Sequence, residues 1–435
     1  MSEHLDPRAS RLQAALSHRR MSRRQLLRYA GASIGTLTIA QALAACGDNG
    51  GGGGGGGTSG TGSSEVGSEA WWSTQQAAAE LVMANWSLYM DKEKDANGDI
   101  VHPSLELFTK ESGIEVDYRE VIDTLDTFFA KIQPQLQAGQ PLGYDVIPGF
   151  TNGKYFDTML RLGYAIPIDQ SKIPNFYEHA AEVYVDPTYD PGNEHSIAFM
   201  SGITGIAYDP SLTGREITSF QDLLDPAFEG KVGMFGDTLD MPNFALVGMG
   251  VDPTTSTPDD WQAAADMLIE ARDSGIVRQF YGANYINALA RGDVALSMGW
   301  SGDVFQSNKS GDSEGLQFVV PEEGAVIWTD NIVIPQGSVN PAGAMEWMNF
   351  IYQPEIMAMM AEWITYIPPV PAARDVVLQD AANASGEDAE FLRNFADSPL
   401  VFPSEEDMSK LARYRVLTPE EEQQWNSVFQ QVYQG

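Results

Sequence analysis

The stretch "VIWTDNIVIP" (residues 326–335) places an indole and a carboxylate two residues apart within an apolar run. Alternate side chains of a β-strand point to the same face, so Trp328 and Asp330 are expected to face one place. A buried carboxylate is costly unless it has a partner. An organic ammonium can be that partner, because it can lie against the ring and bind the carboxylate. The pattern therefore predicts part of a site for a ligand cation.

The same two residue types recur in other short segments, "ANWSLY", "GDTLD", "GWSGD" and "WITYIPP". Asp237 and Asp240 are three apart, so both carboxylates could face one way on a helical turn. Each segment alone has a structural explanation, but together they supply ring faces and carboxylates for an ammonium ligand. The candidate ligand-binding residues are Trp86, Ser87, Tyr89, Asp237, Asp240, Trp300, Trp328, Asp330 and Tyr366.

Motifs for catalysis and metal binding are weak in this sequence. After residue 46, His102, His179 and His195 occur in no H-E-x-x-H pattern, and no serine occurs in G-x-S-x-G. The segment "DKEKDANGDI" begins like a calcium loop, but position 12 would be Ser104, where a bidentate glutamate is needed. We therefore expect no metal, no cofactor and no catalytic residues. An extracellular hydrolase that uses Asp237 and Asp240 as an acid/base pair remains an alternative.

Composition and charge exclude some classes of partner. The chain has 435 residues, enough for two domains with their own cores, and 43% of them are hydrophobic. The formal net charge of −34 argues against nucleic acid or an anionic membrane surface as a partner. It permits a cationic ligand, although solubility alone could also explain it.

The N-terminal segment has the features of an export signal. Arg23-Arg24 followed by "QLL" resembles a twin-arginine signal, and "LAAC" resembles a bacterial lipoprotein cleavage box. We expect residues 1–46 to form the signal peptide, with Cys46 becoming the lipid-modified N-terminus of an extracytoplasmic lipoprotein. Cys46 is the only cysteine in the chain. The Gly/Ser-rich residues 47–78, with eight consecutive glycines, predict a flexible tether.

Strand-like and helix-like stretches alternate after residue 79. Residues 113–121 and 144–150 read as strands, and residues 195–209 as two strands broken by Gly202 and Gly205. Caps, prolines and glycines predict helices over 128–139, 257–275, 340–351 and 353–364. The alternation predicts an α/β fold with mostly parallel sheets. The methionines at 345, 348, 357, 359 and 360 are expected in the core.

Seven segments in order resemble the spermidine/putrescine-binding proteins of bacterial ABC importers. They are "NWSLY", "FTKESGIEVDY", "YDVI", "SFQDLLDPAFEGKVGMFGDTLD", "ARGDVALSMGWSGDV", "VIWTDNIVIP" and "MEWMNFIYQPEIMAMMAEWITY". The resemblance covers about residues 84–430. It implies a two-lobed α/β fold of the periplasmic-binding-protein type (type II) with the ligand in the cleft between the lobes. Lobe I would comprise 79–201 and 329–366, and lobe II 205–327 and 367–435.

The resemblance also implies ligand contacts at all nine candidate residues named above. Ser87 stands where the spermidine binder has threonine, and Asp240 where it has glutamate, which puts the preferred ligand length in doubt. The run after "YDVI" departs from the family, which often has a hydroxyl and an aromatic there. Four residues are possible contacts in that run: Phe150, Thr151, Asn152 and Tyr155. Lys154 is also there, and it would repel an ammonium if it faced the ligand.

The expected function is a lipid-anchored receptor, not an enzyme, that captures a polyamine and delivers it to an ABC permease. Its expected partners are the polyamine, the permease subunits and the membrane through the anchor on Cys46, with no nucleic acid. We expect a monomer. An alternative keeps the fold but changes the ligand to another cationic amine or a small organic ion.

Overall fold

The computed structural model describes residues 65–434, except Leu88, Asp123, Thr124, Asp312 and Glu314. The predicted export signal, Cys46 and the glycine run lie outside the described residues.

Strands and helices are interspersed along this part of the chain up to residue 333, and five consecutive helices follow between residues 341 and 409. The strands are β1 Glu80–Trp86, β2 Glu93–Lys94, β3 Ile100–Val101, β4 Glu115–Ile122, β5 Ile147–Thr151, β6 Ser196–Tyr208, β7 Val232–Phe235, β8 Val277–Tyr281, β9 Leu296–Trp300, β10 Gln317–Val319, β11 Ala325–Val333 and β12 Leu411–Arg413. The helices are α1 Glu69–Trp72, α2 Pro103–Ser112, α3 Leu125–Gln137, α4 Lys154–Arg161, α5 Pro174–His179, α6 Pro210–Thr213, α7 Asp240–Gly248, α8 Pro258–Asp273, α9 Tyr285–Ala290, α10 Ser301–Ser310, α11 Pro341–Phe350, α12 Pro354–Ile364, α13 Ala373–Asn383, α14 Glu387–Ala396, α15 Glu405–Ser409 and α16 Pro419–Gln434. Short 3₁₀ turns occupy Gln170–Lys172, Glu182–Tyr184, Pro191–Asn193, Phe220–Leu224, Pro226–Phe228 and Pro253–Thr255.

Two long antiparallel strands, β6 and β11, run through the centre of the fold, and Trp328 pairs with Gly202 near their middle. To one side of that pair, β11 also pairs with β5, and a bridge between Met83 and Val146 leads to β1 and β4. To the other side lie β7, β8, β9, β10 and β12. We call the end with β1, β4 and β5 the first half and the end with β7, β8 and β9 the second half.

The strand β6 corrects the prediction of two strands in residues 195–209, because it is continuous. Its two glycines do not break the strand. They allow neighbouring groups to approach the backbone closely, which is a common role of glycine within a strand. A Cβ atom on Gly202 would lie 2.2 Å from the Trp328 ring. A Cβ atom on Gly205 would lie 2.6 Å from the carbonyl oxygen of Val319. Gly202 therefore makes room for the indole that the sequence singled out.

The sheet is mixed, so the prediction of mostly parallel sheets is wrong. Strand β6 is antiparallel to β9, β10 and β11, and β5 is antiparallel to β11. The parallel pairs are β1–β4, β7–β8, β7–β9 and β11–β12. Local alternation of strand and helix reveals the parallel pairs, but it does not reveal the two long strands that cross the fold in opposite directions.

The helix predictions are confirmed, with small shifts at the ends. The side chain of Thr257 accepts the backbone N–H of Asp260 in a capping box at the start of α8. Helix α3 begins at Leu125, three residues before the predicted start. Helices α11 and α12 both begin at proline, although Gln353 makes no side-chain cap. The five methionines of these two helices are buried, as predicted.

The folded part begins earlier than the sequence predicts. Trp72 of α1 is buried, and its indole N–H donates to the carbonyl oxygen of Pro167 over 3.0 Å. Gly67 also lies against Pro167, since a Cβ atom there would be 2.7 Å from the proline ring. The predicted tether, residues 47–78, therefore includes residues that pack on the fold. Helix α1 was not predicted because the sequence around its two tryptophans is rich in glycine and serine.

The segment that resembles a calcium loop forms the hairpin of β2 and β3. The carboxylate of Asp95 accepts the backbone N–H groups of Asn97 and Asp99 over 2.8 and 2.9 Å, which is a turn interaction. Ser104 lies in the fold and donates its hydroxyl to Asp91. Among the described residues, no group of three or more His, Cys, Asp or Glu side chains is arranged to hold a metal ion. None of the described helices is long and apolar enough to cross a membrane.

We predict that Gly202→Ala destabilises the protein by about 1–3 kcal/mol, because the added methyl group must displace the buried Trp328 ring. Gly282→Ala is the matched control, since no atom lies within 4 Å of a Cβ atom there. Urea denaturation of both variants measures the difference. Equal stability of the two variants would contradict the close approach of Gly202 and Trp328.

Candidate ligand-binding site

Trp328 and Asp330 lie on one face of β11, as their spacing predicts. Both are buried, and they pair with Gly202 and Met200 of β6. The Trp328 ring covers Gly202. Its indole N–H has no hydrogen-bond partner within the described structure. The two side chains therefore lie at the middle of the strands that join the two halves.

Two hydroxyl groups hold the carboxylate of Asp330. The Tyr89 hydroxyl donates to one oxygen over 2.6 Å, and the Thr151 hydroxyl donates to the other over 2.5 Å. Burial raises the pKa of Asp330 to about 6, while the hydrogen bonds from Thr151 and Tyr89 act in the opposite direction. The hydroxyls orient the carboxylate and leave its charge without a counter-ion.

Thr151 is the residue of the ambiguous "PGFTNGKYF" run that reaches Asp330. The other three residues that were possible ligand contacts form hydrogen bonds or ring contacts within the protein. Phe150 is buried in the core of the first half, and the Asn152 amide oxygen accepts the backbone N–H of Thr329 over 2.8 Å. The Tyr155 ring lies 5.0 Å from the Phe129 ring.

Trp86 and Ser87 lie at the end of β1, beside the same run. The Trp86 indole N–H donates to the carbonyl oxygen of Gly149 over 2.8 Å. Ser87 is exposed. No contact joins either residue to Asp330 or to Trp328 among the described interactions. The structure thus brings Tyr89 into the carboxylate cluster and leaves Trp86 and Ser87 at its side.

Asp240 is the first residue of α7 and is buried in the second half. Its carboxylate accepts the hydroxyl of Thr204, from β6, and the hydroxyl of Tyr414, the latter over 2.5 Å. Burial raises the pKa of Asp240 against the effect of these hydrogen bonds.

Asp237 precedes α7, so it does not share a helical turn with Asp240 as the spacing suggested. Its carboxylate accepts the backbone N–H groups of Leu239 and Met241 over 2.7 and 3.3 Å. Burial and the neighbouring negative charge of Asp240 raise the pKa of Asp237 to about 7. The carboxylates of Asp237 and Asp240 are therefore neighbours, because the turn before α7 brings them together.

Asp303 is a member of the cluster that the sequence analysis missed. It accepts the hydroxyl of Tyr366 over 2.8 Å and also interacts with the hydroxyl of Tyr285. Burial raises the pKa of Asp303 to about 6. The available signal was its position in "GWSGD", three residues after Trp300 and in the first turn of α10.

Aromatic rings connect these carboxylates. The ring of Tyr366 lies 5.2 Å from Trp328 and 6.1 Å from Tyr89. The backbone N–H of Trp300 donates to the Tyr285 hydroxyl over 2.8 Å. The Trp300 indole N–H has no hydrogen-bond partner in the described structure, although it lies near enough to Asp240 to lower the pKa of that carboxyl group.

The cluster lacks a positive partner. Asp237, Asp240, Asp303 and Asp330 are buried or half-buried, and no lysine, arginine or histidine of the described chain forms an ion pair with any of them. Desolvation is the leading cause of the raised pKa of all four. Hydroxyl and backbone donors reduce the cost of burial but supply no charge. A cation that enters the cluster would supply it.

Comparison with known proteins decides the family. The sequence pattern of the family described as "Bacterial extracellular solute-binding protein" matches residues 105–386. The chain belongs to this family. Its members bind solutes, so the solute-binding protein described here is not an enzyme, and the hydrolase alternative for Asp237 and Asp240 is set aside.

Several relatives of this solute-binding protein have names that state a ligand. It is 31% identical to the putrescine-binding periplasmic protein SpuD of Pseudomonas aeruginosa over 359 residues, 77% of this chain and 87% of that protein. It is also 31% identical to the spermidine/putrescine-binding periplasmic protein of Escherichia coli over 293 residues, 67% of this chain and 81% of that protein.

Solved structures share the fold. The spermidine/putrescine ABC transporter substrate-binding protein PotD of Streptococcus pneumoniae superposes with a TM-score of 0.66 at 24% identity, covering 82% of this chain and 98% of that one. A PotD lipoprotein of Treponema pallidum superposes with a TM-score of 0.65 at 19% identity, covering 82% of this chain and 100% of that one. The two-lobed α/β fold expected from the sequence is confirmed.

We predict that Asp330→Asn stabilises the unliganded solute-binding protein at pH 7.5 by about 1–3 kcal/mol. The folded protein keeps the proton of Asp330 up to about pH 6, whereas the unfolded chain loses it near the ordinary value of 3.8. Between these values the unfolded state binds fewer protons, so stability falls as pH rises. Asparagine carries no charge, so the variant does not lose stability as the pH rises through this range. At pH 4 the substitution should change the stability little.

Asp145→Asn is the matched control. Asp145 is also buried, but its carboxylate accepts the backbone N–H groups of Val82, Val339 and Asn340. Asparagine would turn an amide N–H toward one or more of these backbone donors, which cannot accept it as the hydroxyls of Tyr89 and Thr151 can. This variant should therefore be destabilised at both pH values. Thermal melts at pH 4 and 7.5 measure both effects. Destabilisation by Asp330→Asn at pH 7.5 would contradict an uncompensated charge at Asp330.

Proposed function

We propose that this solute-binding protein captures a polyamine and delivers it to the permease of an ABC importer. The observation that carries the proposal is the cluster of four carboxylates with no basic partner in the described structure, surrounded by aromatic rings. A polyamine carries several ammonium groups along an apolar chain. It can therefore match separate carboxylates while its methylene groups lie against the rings.

The contacts suggest a role for each part of the cluster. One ammonium would lie against Trp328 and bind Asp330, which Tyr89 and Thr151 hold in place. Another would bind near Asp303 and Asp240, whose hydroxyl donors come from β6, from the second half and from Tyr366. Trp86, Ser87, Trp300 and Asp237 would complete the walls. Tyr366 joins the two groups, because its ring lies beside Trp328 while its hydroxyl binds Asp303.

The names of the relatives support this ligand class. SpuD is named for putrescine, and the Escherichia coli protein for spermidine and putrescine. Lys154 had suggested a different ligand, because a lysine facing the site would repel an ammonium. Its ammonium nitrogen lies 3.7 Å from Glu422, and it forms no ion pair with the four aspartates. This position of Lys154 is compatible with a polyamine, so the lysine does not favour the alternative of another organic ion.

Closure of two lobes would couple the site to transport. In this proposal lobe I comprises residues 66–201 and 329–366, which moves its start from 79 to include the packed Trp72, and lobe II comprises 205–327 and 367–435. The ligand would bind Asp330 on a connecting strand and Asp240 and Asp303 on lobe II. Because the full set of contacts forms only when the lobes approach, the ligand would favour the closed state.

Titration calorimetry of the chain from Glu65 onward tests the ligand class. We expect putrescine, spermidine or both to bind, and glucose and γ-aminobutyrate to have no effect. Asp303→Asn should weaken polyamine binding by roughly 30-fold or more, as expected for the loss of one partner of a buried charge pair. Glu421→Gln, at a partly exposed residue of α16 that pairs with Arg415, should bind like the parent. Absence of binding by every polyamine would refute the proposal.

The anchor is a separate part of the proposal. Cys46 in "LAAC", after the twin-arginine segment, supports a lipoprotein held outside the cytoplasm by a lipid on that cysteine. We predict that Cys46→Ala moves the protein from the membrane fraction to the soluble fraction, with polyamine affinity unchanged. Immunoblots of the two fractions measure this. Equal membrane retention of parent and variant would exclude the anchor.

A further inference from the structure

Lys154, the first residue of α4, has no role in the proposed binding of a polyamine. It follows Thr151 by three residues, so it lies close to the carboxylate cluster along the chain. Its ammonium nitrogen lies 3.7 Å from a carboxylate oxygen of Glu422 in α16, and 5.1 Å from the centre of the Tyr155 ring.

The two partners belong to opposite halves of the fold. Helix α4 is part of the first half, because Phe156 and Met159 are buried in one core with Phe150 of β5. Helix α16 is part of the second half. Trp425 of α16 stacks edge-on with Trp261 of α8 at 5.2 Å, and the Trp425 indole N–H donates to the carbonyl oxygen of Thr238 over 2.7 Å.

A second contact between the halves lies beside this ion pair. Gly153 precedes Lys154 and has a φ of 131°, a conformation that favours glycine. A Cβ atom on Gly153 would be 2.9 Å from a methyl group of Leu239, the residue before Asp240. The backbone before α4 therefore touches the turn that carries Asp237 and Asp240. The ion pair thus lies next to the proposed ligand site.

The charges around the pair favour a lysine at this point. Asp157 lies one turn further along α4, near enough to Glu422 for the two charges to interact. Burial and then the charge of Glu422 raise the pKa of Asp157 to about 7, with Arg161 acting in the opposite direction. Two carboxylates from opposite halves therefore come together here. Lys154 is the basic group in contact with Glu422.

We propose that Lys154 and Glu422 form a latch between the two halves that holds the closed state and slows release of the bound ligand. The proposal rests on the polyamine-binding function above. Opening the cleft separates α4 from α16, so the ion pair must break before the ligand leaves. Both side chains are partly exposed, at 35% and 22%, so the contribution is modest.

Stopped-flow measurement of spermidine dissociation tests the latch. We expect Glu422→Gln to raise the dissociation rate roughly two- to fivefold, the range for a partly exposed ion pair, with a smaller effect on association. Glu421→Gln is the matched control, since that neighbouring glutamate binds Arg415 over 2.7 Å within the second half. The double variant Lys154→Glu/Glu422→Lys should restore slow dissociation. An unchanged rate in Glu422→Gln would overturn the proposal.

Carbodiimide cross-linking separates this test from the polyamine proposal. The reagent joins an ammonium and a carboxylate that are in contact, so mass spectrometry should find a peptide linked through Lys154 and Glu422. Spermidine also carries primary amines that the reagent couples to carboxylates, so it is added at one equivalent of the protein and only the Lys154–Glu422 peptide is counted. The yield of that peptide should rise with spermidine and vanish in Glu422→Gln. Absence of the link with and without spermidine would overturn the latch. If the link forms but the protein binds no polyamine, the proposed ligand is wrong, while the contact between Lys154 and Glu422 is supported.

Discussion

The burial of negative charge without a positive partner is the constraint on which the rest of the site depends. Asp237, Asp240, Asp303 and Asp330 face one region, and the described chain offers none of them an ion pair. Hydroxyl and backbone donors hold each carboxylate in a fixed direction. The arrangement therefore lowers the stability of the empty protein at neutral pH and raises the free energy available for binding a cation.

The fold provides the geometry that this constraint requires. Strands β6 and β11 cross between the halves, and they carry Thr204, Trp328 and Asp330 on their central residues. Gly202 gives the Trp328 ring its place against the strand. Since the remaining carboxylates come from the second half, one ligand could touch both a connecting strand and the second half. In the proposed function, binding would then favour closure.

Local pattern was enough to predict part of the proposed site. Strand alternation placed Trp328 and Asp330 on one face, and the three-residue spacing put Asp237 near Asp240, although through a turn that precedes the helix and not within it. The hydroxyl donors Thr204 and Tyr414 were not predictable, because they reach Asp240 from segments 36 and 174 residues away. Asp303 carried a visible signal in its distance from Trp300. The glycines of β6 led to the wrong prediction of two strands. The sequence alone does not distinguish a glycine that accommodates a neighbouring ring from one that ends a strand.

A thermodynamic cycle on Trp328 and Asp330 tests the central claim most directly. Calorimetric titration with spermidine gives the affinities of the parent, Trp328→Leu, Asp330→Asn and the double variant. If one ammonium contacts both side chains, loss of the carboxylate lets it move away from the indole. The two substitutions should then show an interaction free energy of at least about 0.5 kcal/mol. Additive losses, or unchanged affinity in both single variants, would contradict a shared cation.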